Sequence, residues 1–308
     1  MSRQKLQIVE VGLRDGLQNE SVSLSVNQKV DLGKKLLLAG VRRLEAGAFV
    51  RSDRIPQMDG SDKVYQNLNK FSKSTADLSV LVPNEIGMNK AIDNKVKEVA
   101  VFAGCTESFS IRNINCSIEE SFHRFEKVFS LAKKNKMKVR GYLSMCFGCP
   151  FEGEVKESVV VKLAKRLYEM GAYEISIGDT IGVAHAGQVI SLMTKLQKEI
   201  PVGKIAGHFH DTRGQALANI LAAYQLGIRV FDSSIGGLGG CPYAPAATGN
   251  VATEDVLYMF QQMKVQTGID LKKILEIHPW LQKQMGKSLP SKLGSVGLLK
   301  PKPFLNDR

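Results

Sequence analysis

The chain has 308 residues, 44% of them hydrophobic, and 42 Lys and Arg against 30 Asp and Glu give a formal net charge of +12. This length buries a large core in one domain, and no run approaches the roughly 18 consecutive apolar residues that a membrane span needs. The five cysteines are odd in number and scattered, unlike the dense, even pattern of a secreted disulfide scaffold, so reduced thiols are expected.

Short β-branched runs alternate with longer amphipathic stretches up to about residue 267, the pattern of repeated βα units around a parallel sheet. Eight strands are predicted, near Leu6–Val11, Arg43–Ala46, Leu78–Val82, Glu98–Phe102, Lys138–Met145, Tyr173–Ile177, Lys204–His208 and Val230–Ile235, each with a helix after it. Eight is the count at which such a sheet closes into an α/β TIM barrel, (β/α)8, and no Gly-x-Gly-x-x-Gly follows the first strand to favour a dinucleotide fold. Ser117-x-x-Glu120 predicts a capping box, and Gly171 and Gly227 stand where helices would stop. Residues 1–270 read as the barrel and 271–308 as a short helical extension ending in a basic tail.

The positive charge has three readings: nucleic acid, an anionic small molecule, or solvated helix faces. Lys and Arg in KVDLGKK and LAKKNKMKVR stand at helical spacing beside apolar residues, and no aromatic platform accompanies them. Solvated faces are the main account, with recruitment of a phosphate-bearing substrate in addition; neither nucleic acid nor a membrane is an expected partner. Strand-like sequence begins almost at once, leaving no room for a targeting peptide, so a cytoplasmic location is expected, or an organelle matrix after loss of a precursor segment.

Active sites of TIM barrels lie at the C-terminal ends of the strands, and polar residues gather there repeatedly. Glu10, Arg14 and Asp15 follow strand one, Glu45 ends strand two, Asp179 follows strand six, His208, His210 and Asp211 end strand seven, and a glycine-rich loop with Cys241 and Asn250 follows strand eight. In GHFHDT, two histidines one residue apart on a strand project from the same face and can reach one ion. With Asp15 across the barrel they make a mixed nitrogen and oxygen set suited to Mg²⁺, Mn²⁺ or Zn²⁺, and the oxygen donors tilt it towards a hard octahedral ion, Mg²⁺ or Mn²⁺. Arg14 beside this set is suited to hold an enolate or alkoxide oxygen whose charge grows in the transition state. The segment IGGLGGCPYAPAATGN reads as a loop over the barrel mouth, and Cys241 within it is a candidate to deliver or accept a proton. Cys146 and Cys149 form a C-x-x-C pair with no second ligand pair and read as structural.

The motifs VEVGLRDGLQNE, NINCSIEESFHRF, RGYLSMCFGCPFEG, YEISIGDTIGV, GHFHDTRGQALAN and GGLGGCPYAPAATGNVATEDV together resemble the 3-hydroxy-3-methylglutaryl-CoA lyases over essentially the whole barrel. The Arg-Asp and His-x-His pairs are shared with a wider group of TIM-barrel metallolyases and synthases, whereas the cysteine loop is more specific to the lyases. The resemblance implies retro-Claisen cleavage of a CoA thioester, (S)-3-hydroxy-3-methylglutaryl-CoA, to acetyl-CoA and acetoacetate. It implies that Asp15, His208, His210 and Asn250 bind the divalent cation, that Arg14 stabilises the enolate, and that Glu10, Glu45 and Asp179 are acidic positions near the site. Cys241 matches the loop cysteine implicated in proton transfer; Arg14, Gln18, Gly239 and Gly240 are the expected substrate contacts; and a homodimer is expected by likeness.

Asp179, His208 or a water on the metal are the open choices for the group that takes the substrate's hydroxyl proton. The segment EAGAFVRSDRIPQM departs from the family pattern at Ala48 and at Arg51, Ser52, Asp53 and Arg54, on loops expected to border the substrate. Three other readings stand beside the lyase. One is a related 3-hydroxyacyl-CoA lyase with altered acyl specificity, which those departures raise; the second is a Claisen-condensing synthase of the isopropylmalate or homocitrate type, whose members usually carry a further C-terminal region; the third is a non-catalytic binding barrel, which has no need of two histidines and an aspartate at its mouth.

Overall fold

The computed structural model describes residues 6–240 and 249–298. Eight parallel strands close a barrel in sequence order: β1 (Gln7–Glu10), β2 (Arg43–Ala48), β3 (Asp77–Leu81), β4 (Glu98–Gly104), β5 (Lys138–Ser144), β6 (Glu174–Asp179), β7 (Ile205–Phe209) and β8 (Val230–Ser233), with β8 pairing back onto β1. The helices outside it are α1 (Val26–Leu38), α2 (Ser61–Ser72), α3 (Glu85–Asp93), α4 (Glu107–Ile114), α5 (Ile118–Lys134), α6 (Glu157–Glu169), α7 (Ala186–Leu196), α8 (Ala216–Gln225) and α9 (Thr253–Gln262). Two more, α10 (Leu271–Met285) and α11 (Lys292–Val296), form the C-terminal extension, and α10 lies against α1 and α9. The TIM barrel expected from the alternation of strands and helices is therefore the fold. No helix among the described residues is long and apolar enough to cross a membrane.

Local chemistry sets the element ends. Ser117 accepts from the Glu120 amide while the Glu120 side chain accepts from the Ser117 amide, which satisfies two orphan donors at the start of α5. Gly171 (φ +106°) and Gly227 (φ +95°) follow the last residues of the α6 and α8 regions in a backbone conformation costly for any other residue.

The strand ends differ from expectation where side-chain pattern gives way to local hydrogen bonding. β2 runs on through Ala48 past an irregularity in its pairing with β3, so Glu45 lies inside the strand and not at its end. β6 takes in Asp179 as its last residue, and β8 stops at Ser233 because a 3-10 turn over Ile235–Gly237 follows. After β4 the chain makes an additional helix, α4, before α5.

One connection matters most for the site. Residues Gly12–Gly16 after β1 form a π-helical turn, closed by the Gly16 amide on the Val11 carbonyl at 3.1 Å. Arg14 and Asp15 are consecutive members of that turn.

Candidate metal centre

At the C-terminal mouth, Asp15, His208 and His210 bring their potential ligand atoms within 4.8 Å of one another. The two histidines leave the same face of β7 and its continuation, with ring centroids 5.2 Å apart, as the one-residue spacing requires. Their Nε2 atoms stand 3.8 and 3.7 Å from the same Asp15 oxygen, Oδ2. Asn250, bridged to His210 through the backbone, donates its amide nitrogen to that oxygen at 2.7 Å.

Several polar atoms here are buried and lack a hydrogen-bond partner among the described residues: both ring nitrogens of His210 and Oδ1 of Asn250. Buried polar groups are nearly always satisfied, so this cluster of lone pairs around a carboxylate fits a divalent cation. Burial opposes ionisation of Asp15, but the Arg14 guanidinium and the two histidines outweigh it and hold its carboxyl well below the usual range. An anionic oxygen donor is thus present at ordinary pH.

Arg14 is locked on two sides. Its Nε donates to Glu45 at 2.7 Å and its Nη1 to Asp15 at 2.5 Å, while Nη2 makes no hydrogen bond among the described residues. The guanidinium also lies over the Tyr142 ring, 5.3 Å from its centroid, and the Tyr142 hydroxyl reaches Glu45 at 3.4 Å. Burial pushes the Glu45 carboxyl up, against the pull of Arg14. A cavity of about 100 Å³ has Arg14, Asp15, Gln18, Tyr142, His208, His210 and Gly240 in its wall.

The other expected residues lie as follows. Gly240 accepts from the Asn19 side chain at 2.8 Å, and the Gly239 amide points to Glu20 at 3.4 Å. Asp179 accepts from the Val183 and Ala184 amides at 2.9 and 3.0 Å; burial pushes its carboxyl up, and its neighbours Gly178 and Thr180 line the cavity. Glu10 is wholly buried and lies apart from the cavity wall. Its Oε1 accepts from the Gly12 and Ile235 amides, and its Oε2 from the Thr253 hydroxyl. Cys241 lies outside the described residues. Cys149 accepts from the Thr106 hydroxyl in the core, and Cys146 approaches Cys105 at 3.7 Å.

Tyr142 and the carboxylate beneath His208, Asp232, were not singled out in the sequence. Both are inward-facing strand residues, and the period-2 alternation of RGYLS and VFDSS is the one signal that marks them.

A family model described as HMGL-like matches residues 5–280. The chain belongs to this family. Among its HMGL-like relatives, the hydroxymethylglutaryl-CoA lyase of Pseudomonas mevalonii is 47% identical over 94% of this chain and 96% of its own. A Pseudomonas aeruginosa protein named 3-hydroxy-3-isohexenylglutaryl-CoA/hydroxy-methylglutaryl-CoA lyase is 46% identical, covering 96% of this chain and 98% of its own. The solved structure of an HMG-CoA lyase from Acinetobacter baumannii with coenzyme A and 3-methylmalate superposes with a TM-score of 0.93 at 32% identity, covering 98% of this chain and 99% of that one.

Proposed function

We propose that this chain is a divalent-metal-dependent carbon–carbon lyase that cleaves (S)-3-hydroxy-3-methylglutaryl-CoA to acetyl-CoA and acetoacetate, with Mg²⁺ or Mn²⁺ as its ion. The observation that carries the reading is the convergence of Asp15, His208, His210 and Asn250, with the His210 ring nitrogens and Asn250 Oδ1 left without partners among the described residues, and the locked guanidinium of Arg14 beside it. When bound there, the ion supplies Lewis acidity that makes the substrate's tertiary hydroxyl easier to deprotonate.

The chain's own residues do the rest. As the hydroxyl proton leaves, its electron pair forms the ketone of acetoacetate, the bond from C3 to C2 breaks, and charge moves onto the thioester oxygen. Arg14 meets that charge through Nη2 without reorganising, because Glu45 and Asp15 already fix its other nitrogens. Asp179, His208 and a water of the site are the groups considered for the hydroxyl proton; Asp179 stands between the cavity residues Gly178 and Thr180, with its carboxylate held by the Val183 and Ala184 amides. Cys241 delivers a proton to the CH₂ carbon of the enolate to complete acetyl-CoA.

A second cavity of about 340 Å³ shares Gln18, Leu81, Phe102 and Asn113 with the metal cavity. Phe49 and Ile86 line it, and Arg51, Arg54, Lys90 and Arg124 bring four cations to it. This groove suits the apolar and anionic parts of the CoA arm, and it includes positions where the chain departs from the family pattern. We assign Gln18, Gly239 and Gly240 to substrate contact, residues 1–270 to a catalytic unit, a homodimer to the assembly, and the cytoplasm or an organelle matrix to the location.

The test is acetoacetate formation from (S)-3-hydroxy-3-methylglutaryl-CoA with Mg²⁺ or Mn²⁺ and with chelator, on the wild type and on His210→Ala. Metal-dependent cleavage that the variant loses is the expected result. Folded, metal-loaded protein that leaves the thioester intact, yet releases free thiol from acetyl-CoA and a 2-oxo acid, would replace the lyase with a synthase.

A further inference from the structure

A column of charged side chains runs through the barrel interior from its floor to the metal cavity. Arg43, the first residue of β2, donates through both terminal nitrogens to Glu174 at 3.1 and 2.8 Å. Glu174, the first residue of β6, also accepts from Nε of Arg140 at 2.7 Å. Arg140 on β5 then grips Asp232 on β8 with two hydrogen bonds, at 3.2 and 2.8 Å. Asp232 accepts from the Ser176 hydroxyl at 2.7 Å and stands 3.1 Å from Nδ1 of His208. Arg140 and Asp232 are each only 1% exposed.

The signs alternate along the column, so two cations balance two carboxylates before His208 is reached. Asp232 has an arginine fork on both its oxygens and a hydroxyl on Oδ2, and an ionised carboxylate can only accept. The nitrogen that faces it must therefore carry hydrogen. In the neutral ring that leaves the lone pair on Nε2, the nitrogen turned towards Asp15.

We propose that Asp232 is a positioning residue for the metal centre: it fixes the hydrogen of His208 on Nδ1 and the ring plane, so that Nε2 is presented to the ion, while Arg140 and Ser176 hold Asp232 in place. This rests on the reading of His208 as a ligand. Carboxylate support of a ligand histidine sets tautomer and orientation, and its loss typically costs on the order of 10–100-fold in metal affinity. Asp232→Asn is the informative change. The amide nitrogen opposes an Arg140 donor in either orientation, and in the Oδ2 position it also donates to Nδ1, drives the ring hydrogen to Nε2 and blocks the ligand atom.

Mn²⁺ binding to metal-stripped protein, followed by the loss of the free-ion electron paramagnetic resonance signal, tests this on wild type, His208→Ala, Asp232→Asn and Ser176→Ala. Asp232→Asn should bind Mn²⁺ on the order of 10–100-fold more weakly, with Ser176→Ala between it and the wild type. Lyase turnover of Asp232→Asn should recover as Mn²⁺ is raised, with KM for the thioester unchanged. If His208→Ala loses Mn²⁺ while Asp232→Asn stays within about two-fold of wild type, the positioning role alone is refuted. If His208→Ala itself binds as wild type does, the ligand assignment falls and takes the proposal with it. A second measurement needs no variant: nitrogen-15 correlation spectra of the Mg²⁺-loaded wild type should show hydrogen on Nδ1 of His208, and hydrogen on Nε2 would overturn the proposal.

Discussion

Replacing Glu10 by glutamine separates a structural carboxylate from a catalytic one. Burial raises the Glu10 carboxyl from 4.5 to about 7, against the three hydrogen bonds it accepts and with a small push from Glu254. The folded protein therefore holds this proton over a range where the unfolded chain has released it. Stability is greatest below pH 4.5 with respect to this group, and it falls as pH rises through 7. A difference of about 2.5 units corresponds to about 3 kcal/mol at full development. Glutamine keeps a carbonyl oxygen for the Gly12 and Ile235 amides, and its amide nitrogen can donate to Thr253, whose hydroxyl then turns to Ser233 at 2.7 Å. Urea unfolding of wild type and Glu10→Gln should be followed from pH 4.5 to 8. The stability of the variant relative to wild type should climb by about 3 kcal/mol across that range and level off above it. A difference that stays flat with pH would refute the buried-carboxyl argument, and a large loss of kcat in the well-folded variant would return Glu10 to the chemistry.

Arg14→Gln should lower kcat by roughly 10²–10³-fold, as removal of a donor to a developing oxyanion does, while Mn²⁺ affinity measured by calorimetry changes far less. Gly249→Ala places a Cβ 2.5 Å from the Gly239 backbone, at the neck beside Asn250. We expect about 1–3 kcal/mol of destabilisation and weaker Mn²⁺ binding, read by thermal unfolding with and without the ion. Cys241→Ala should impair turnover with metal affinity intact; unchanged kcat would remove the thiol from the proton path.

The barrel was legible because its strands are short runs, all but β2 carrying a Val or Ile, framed by helical stretches, and the His-x-His pair because strand periodicity alone puts both rings on one face. Arg14 and Asp15 could be placed at a strand end, but nothing local shows that they share one π-helical turn. The column from Arg43 to Asp232 was hidden for a different reason. Its partners come from β2, β5, β6 and β8, and a lone arginine or aspartate inside a strand carries no mark of the distant strand it will face across the barrel. Glu10 shows the converse. Its position at the end of strand one and its family likeness suggested a place near the site, and its side chain turns to the backbone just after β1 and β8.

That Arg14 and Asp15 are neighbours in one closed turn has a mechanical meaning. In the proposed reaction the two ends of the bond to be cut answer to different groups, the hydroxyl end to the ion and the thioester end to the guanidinium. If Arg14 and Asp15 came from separate strands, every relative slide of the barrel staves would stretch or shorten the span between them. Here that span is written into adjacent links of the chain, so the guanidinium stays in step with one of the four groups around the ion's place while the other three ride on different staves.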